Sequence, residues 1–243
     1  MNKNISYNSS QIADFYSQNR IRYKDFYLSE QHIFNRCMLS PSSRILDVGC
    51  GCGGLGLALN EEFGVTQYVG IEINSQAVTE AKSLYPAATF RCSDIIDINV
   101  NEVGLFDTVC SLSCIDWNVE LKTMLEKCWS FVKPNGSFIL SLRLTDKASV
   151  LDISRSYQEI SFDQRQAVEI AQYSVLNIDD CLSMLMALPG IDEIYAYGYN
   201  GIPSNTAVTP FKELCFAVFA ITKGGNLSKP RFNLELPLEP KII

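Results

Sequence analysis

The chain's 243 residues, 47% hydrophobic and 19% charged, hold enough apolar content for one sizeable buried core and point to a single domain. Its 20 Lys and Arg against 27 Asp and Glu leave a net charge of -7 with no block of like charges, which argues against a nucleic-acid partner, since such proteins neutralise phosphates with Lys and Arg. Nine cysteines, an odd number scattered through apolar segments, argue against a disulfide framework and fit reduced thiols in a cytoplasmic protein.

Residues 10–39 mix aromatic and charged side chains at helical spacing (Ile12, Phe15, Tyr16, Asn19, Tyr23, Phe26, Tyr27) and end near Pro41, which predicts one or two leading helices. From Arg44 short apolar runs alternate with amphipathic stretches. They predict strands at Arg44–Val48, Gln67–Ile71, Ala88–Cys92, Phe106–Leu112 and Ser137–Leu144, with helices at Gly54–Phe63, Ser75–Tyr85 and Val119–Phe131. Such alternation implies right-handed crossovers and a parallel sheet covered on both faces. The polar stretch Thr145–Tyr173 breaks the rhythm, and its segments Val150–Tyr157 and Phe162–Ala171 predict a helical insertion over the ligand edge of the sheet. A helix at Ile178–Leu188 follows, then a strand at Glu193–Tyr197, a loop rich in Gly, Pro and Asn, and the apolar run Leu214–Ile221. Two closing strands with no helix between them predict an antiparallel edge, and the tail after Gly225 reads as extended. The fold class is therefore α/β: a doubly wound, mostly parallel seven-stranded sheet with an antiparallel edge strand, N-terminal helices and a helical insertion after the fifth strand.

The segment from Arg44 to Gly56, RILDVGCGCGGLG, runs from a strand through small residues into a helix. Glycine lacks a Cβ and tolerates positive φ, so such a turn brings backbone within contact distance of a ligand. Gly51, Gly53 and Gly56 also satisfy the G-x-G-x-x-G spacing of dinucleotide binding. In that chemistry the glycines leave room for a pyrophosphate, which a nearby carboxylate repels. Asp47 ends the strand two residues before Gly49 and suits a ligand carrying an ammonium and a sulfonium better than one carrying phosphates.

The run Asp47-Val48-Gly49-Cys50-Gly51-Cys52-Gly53 resembles the acidic-x-Gly-x-Gly-x-Gly signature of class I S-adenosylmethionine-dependent methyltransferases. Glu72 ends the second strand, where the first crossover brings a carboxylate beside a ribose able to give it charge-assisted hydrogen bonds. In the resembled family the acid after the third strand, here Asp94, meets the exocyclic amine of adenine; as a helix or turn cap it would have a purely local role. Ile73 and Ile95 flank these two acids. The stretch Ser111-Leu112-Ser113-Cys114-Ile115-Asp116-Trp117 resembles the segment that flanks the methyl donor and faces the acceptor, and Lys133-Pro134-Asn135-Gly136 matches the family's turn before the fifth strand. The resemblance covers roughly residues 44–144 and extends loosely to Lys223. It implies S-adenosylmethionine as cofactor, with Asp47, Gly49, Gly51, Gly53, Glu72, Ile73, Asp94, Ile95, Ser111 and Ser113 around it.

The implied organisation is one methyltransferase domain over 1–243: an N-terminal helical cap (1–40), a cofactor-binding core (44–144), a helical insertion (145–176), a closing helix and strands (177–223) and an extended tail (224–243). The implied activity is in-line methyl transfer to a small-molecule acceptor. The insertion together with Gly198–Pro203 distantly resembles bacterial methyltransferases of surface-sugar biosynthesis, so a sugar or another biosynthetic intermediate is one acceptor class. A hydroxyl acceptor needs a base, for which His32, Asp116, Tyr16, Tyr23 and Tyr199 are candidates. The insertion and the loop Tyr197–Thr209 are expected to form the acceptor pocket with the leading helices. Two other functions stay open: an NAD- or FAD-dependent oxidoreductase using the embedded G-x-G-x-x-G, and a noncatalytic protein that keeps the fold as a binding module. No metal is expected, because His32 is the only histidine and no Cys-x-x-Cys pair occurs. No secretory leader is read at the N-terminus, and no apolar run is long enough to span a bilayer.

Overall fold

The computed structural model describes residues 17–160, 169–224 and 230–242. Nine strands form the main sheet: β1 (Arg44–Val48), β2 (Gln67–Glu72), β3 (Thr89–Cys92), β4 (Phe106–Ser111), β5 (Val132–Thr145), β8 (Leu176–Asn177), β9 (Ile191–Gly201), β11 (Leu214–Lys223) and β12 (Arg231–Glu235). Eight of them run in the spatial order β12-β9-β11-β5-β4-β1-β2-β3, and β8 pairs with β5. β1 pairs in parallel with β2 and β4, and β4 with β5, as the alternation predicts. The order reverses between β1 and β4, the place where an open α/β sheet leaves a crevice at the carboxyl ends of its strands.

Helices cover both faces. Leu28–Arg36, Gly54–Phe63 and Ser75–Leu84 bury Ile33, Phe34, Ala58, Leu59 and Ala81 on one face, against Ile45, Tyr68 and Val218 of the sheet. On the other, Leu121–Ser130 and Ile178–Met186 bury Leu125, Trp129, Leu182 and Leu185 against Leu46, Phe138 and Phe219. Local chemistry sets the helix ends. Gly64 closes the first crossover helix in the left-handed region at φ +71°, while the Asn74 and Asn177 side chains accept amide hydrogens at the start of the two helices that follow them.

Three expectations change. The insertion shows no helix among its described residues: β6 (Tyr157–Glu159) and β7 (Ile170–Gln172) pair with each other and with β10 (Ala207–Val208) in a separate antiparallel sheet, and Val150 bridges Val175. The pairing partner of β6 in β10 lies some fifty residues downstream, beyond the reach of any periodicity; of Phe162–Ala171, residues 162–168 lie outside the described residues. β11 is antiparallel to both β5 and β9, but it sits inside the sheet rather than at its edge. The edge belongs to β12, in the tail read as extended, which pairs in parallel with β9. At the N-terminus the described helix is Leu28–Arg36, preceded by a 3-10 turn at Tyr23–Asp25; Ile12, Phe15 and Tyr16 lie outside the described residues.

Candidate active site

A cavity of about 340 Å³ opens at the carboxyl ends of β1 to β4. The glycine loop forms its floor. Gly49, Gly51 and Gly53 all take positive φ (+73°, +52° and +78°), and the amides of Gly49 and Cys50 donate to Ile71 O at 2.8 and 3.2 Å, which ties the loop to β2. The three glycines do different work. A Cβ on Gly49 would lie 2.3 Å from Cys114 Sγ, and one on Gly53 2.7 Å from the Phe90 ring, so both are close-packing positions. At Gly51 a Cβ would meet nothing within 4 Å, and Gly51 lines the cavity: it is an open cradle. Gly53 stands behind the wall.

Glu72, at the end of β2, lines the cavity and accepts the amides of Gly51 at 3.0 Å and Asn74 at 2.9 Å. Burial raises its pKa, with those two amide bonds opposing. Asp47 lies in the wall with 4% exposure; burial pushes its carboxyl up to about 7 against the opposing hydrogen bond from the Tyr68 hydroxyl. Asp94 caps the Ile95–Asp97 turn through Ile96 N at 3.0 Å, the local role open to it, and also lines the cavity. Ile73, Ile95 and Ser113 line it too, and Ser113 holds a positive φ of 50° while its amide donates to Ser141 Oγ at 2.6 Å. Ser111 is fully buried and stands outside the wall.

The three proton-acceptor candidates among the described residues most open to test, His32, Asp116 and Tyr199, all lie away from the cavity wall. His32 Nε2 is 2.7 Å from the Tyr195 hydroxyl and its ring stacks on Tyr197 at 4.1 Å. Tyr199 rests against Phe216 with ring centres 6.0 Å apart. Asp116 is engaged by Arg143 Nε at 2.6 Å in a buried ion pair, with the guanidinium 3.7 Å from the centre of the Tyr173 ring. Tyr23 donates to Gln31 O and Asn35 Oδ1 and is likewise off the wall, and Tyr16 lies outside the described residues.

Several wall residues carry no sequence motif. Arg20 reaches the cavity because the chain before the first helix packs on the glycine loop: a Cβ on Gly54 would lie 2.2 Å from Arg20 O. Its Nη2 donates to both carboxylate oxygens of the buried Glu30, at 2.8 and 2.9 Å. Asn118 enters from the turn after β4, next to Trp117 of the stretch already singled out in the sequence, and Gln158 and Glu159 from β6 with Ile160 just after it. Neither Tyr157 nor the loop after β9 lines the cavity; the loop contributes β10, which backs β6. Among the described residues no group of three His, Cys, Asp or Glu is placed to hold a metal ion, and no helix is long and apolar enough to cross a membrane.

Fold and cavity together define the class: a Rossmann-like, doubly wound α/β protein with a crevice at the carboxyl ends of its parallel strands. Residues 45–136 match the family described as methyltransferase domain. A putative methyltransferase of Invertebrate iridescent virus 6 is 29% identical over 126 residues, 51% of this chain and 45% of the viral protein. The ubiquinone biosynthesis O-methyltransferase of Bradyrhizobium diazoefficiens is 29% identical over 102 residues, 40% of this chain and 39% of that one. The chain thus spans less than half the length of these curated relatives. Among solved structures, the N-terminal domain of EvdMO1 with S-adenosylhomocysteine (SAH) bound shares the fold at a TM-score of 0.54 and 18% identity, over 74% of each chain.

Proposed function

We propose that the chain binds S-adenosylmethionine in this cavity and transfers its methyl group to a small molecule. The open cradle at Gly51, beside the Glu72 carboxylate, carries the reading: it is a place where backbone meets a ligand with nothing else to fill it. Glu72 takes the ribose hydroxyls, Asp94 and Ile95 the adenine, and the loop from Gly49 to Gly53 the amino-acid end, with Asp47 setting a field that favours cationic groups. S-adenosylmethionine brings a methyl group already activated by its sulfonium, so the chain's tasks are alignment and exclusion of water. The residues present fit those tasks without a covalent nucleophile. The relative in ubiquinone biosynthesis and the neighbour with SAH bound support the reading. Asp47 in the wall beside the glycine loop disfavours the pyrophosphate of NAD or FAD. Nine free thiols fit a reducing, cytoplasmic compartment.

SAH at a hundredfold excess over its Kd is expected to stabilise the fold by about 2.7 kcal/mol, a rise in Tm of roughly 5–10 °C for a domain of this size. NAD at the same concentration is expected to leave Tm unchanged, and the reverse pattern in a thermal-shift assay overturns the proposal. Gly51→Asn supplies a second check. Asn tolerates left-handed backbone, so the variant is expected to fold, yet its side chain fills the cradle and SAH affinity falls at least tenfold by titration calorimetry.

A further inference from the structure

We infer that the methyl acceptor is an amine, received on the side of the cavity lined by Trp117, Asn118, Gln158 and Glu159; this rests on the S-adenosylmethionine reading. Those residues come from two adjoining pieces of the fold. Ser174 N, just after β7, donates to Asp116 O at 2.9 Å in the turn that carries Trp117, and β7 pairs with β6, which carries Gln158 and Glu159. The small sheet is therefore fastened to the end of β4, with its acid facing the same space as the Trp117 ring.

Charge selects the class of acceptor. The described wall holds four carboxylates and one cation, Arg20, and Glu30 holds that guanidinium through both of its oxygens. An acceptor bearing a carboxylate or phosphate therefore meets Glu159 on this side, with the wall's single cation already engaged. Three of the acids are committed at the donor end: Glu72 to two amides, Asp47 to Tyr68 and Asp94 to Ile96. Glu159 is exposed, and among the described residues its carboxylate makes no hydrogen bond or ion pair. A carboxylate and an aromatic ring lining one cavity can together receive an ammonium, through charge and through the ring, one face of Trp117 being held by Arg143 at 5.4 Å.

Proton chemistry points the same way. A hydroxyl acceptor needs a base in reach: the described wall contains no His, Lys or Tyr, burial drives the Cys50 and Cys114 thiols well above their ordinary range, and the Glu159 carboxylate is a far weaker base than the alkoxide it would have to generate. An amine needs less. Bound as an ammonium against Glu159, it releases one proton to solvent, and its lone pair then forms the new C–N bond as the C–S bond breaks, that electron pair remaining on sulfur. The product is a methylated ammonium and a neutral thioether, and the proton lost before the attack is the only one released.

The test uses the full chain saturated with SAH, so that the donor end is filled, with benzylamine and benzoate as probes of matched shape and opposite charge. Calorimetry is expected to give benzylamine at least a tenfold lower Kd than benzoate, and Glu159→Gln, an exposed change that leaves Tm unaltered, is expected to remove that preference. Benzoate binding as tightly as benzylamine, neither probe binding, or a preference that survives Glu159→Gln overturns the inference. Failure of SAH itself to raise Tm, read before any probe is added, instead counts against the donor reading.

Discussion

Asp116→Ala is expected to destabilise the fold by about 3–5 kcal/mol, the usual cost of removing one partner from a buried ion pair, read as a fall in the urea midpoint at constant m-value. The carboxylate is 3% exposed and meets Arg143 Nε at 2.6 Å, while Arg143 Nη2 donates to the Asp116 carbonyl at 3.2 Å. Without the carboxylate the guanidinium stays 4% exposed between Tyr173 and Trp117 with its charge uncompensated. Asp116→Asn keeps an acceptor but loses the charge and is expected to fall between wild type and alanine. The double change Asp116→Leu with Arg143→Met removes both charges, and it is expected to recover much of the loss because no unpaired ion remains. A loss under about 1 kcal/mol for Asp116→Ala would mean the pair is hydrated and contributes as surface pairs do. The same geometry separates Asp116 from the chemistry: its role is to fasten the turn that presents Trp117.

Glu72→Ala is expected to weaken SAH binding by tenfold or more. Each charge-assisted hydrogen bond contributes about 1.5–3 kcal/mol, and every 1.4 kcal/mol is a factor of ten. Glu72 also accepts the Gly51 and Asn74 amides, so alanine removes a brace of the glycine loop as well as a ligand contact. Glu72→Gln separates the two roles. It keeps a carbonyl oxygen for one amide but turns an NH2 toward the other and loses the charge, so its Tm without ligand is expected to fall less than that of alanine while SAH affinity still drops. Unchanged affinity in both variants would reduce Glu72 to a structural end of β2.

Sequence alone determined the crossover core and the strand-end positions of Asp47, Glu72 and Asp94, because both depend on short-range signals. Alternating apolar runs and helix periods lie within a few residues of one another, and β1 to β5 follow them in order. Asp47, Gly51, Glu72 and Asp94 stand at strand ends, so once the strands pair in parallel their carboxyl ends converge on one crevice. The tertiary structure alone decided which glycine is open, since Gly49, Gly51 and Gly53 read alike until Cys114 and Phe90 arrive from elsewhere in the chain. It alone paired Arg20 with Glu30 and Asp116 with Arg143, the latter 27 residues apart, and took Asp116 away from the cavity wall. It turned the insertion from expected helix into β6 and β7 because β10 supplies their edge, and it made the tail a strand because β9 offers an unpaired side. The physical reason is common to all four: a buried charge, a glycine's clearance and a strand's partner are properties of what comes close in space, and segments far apart in the chain meet only when the sheet has formed.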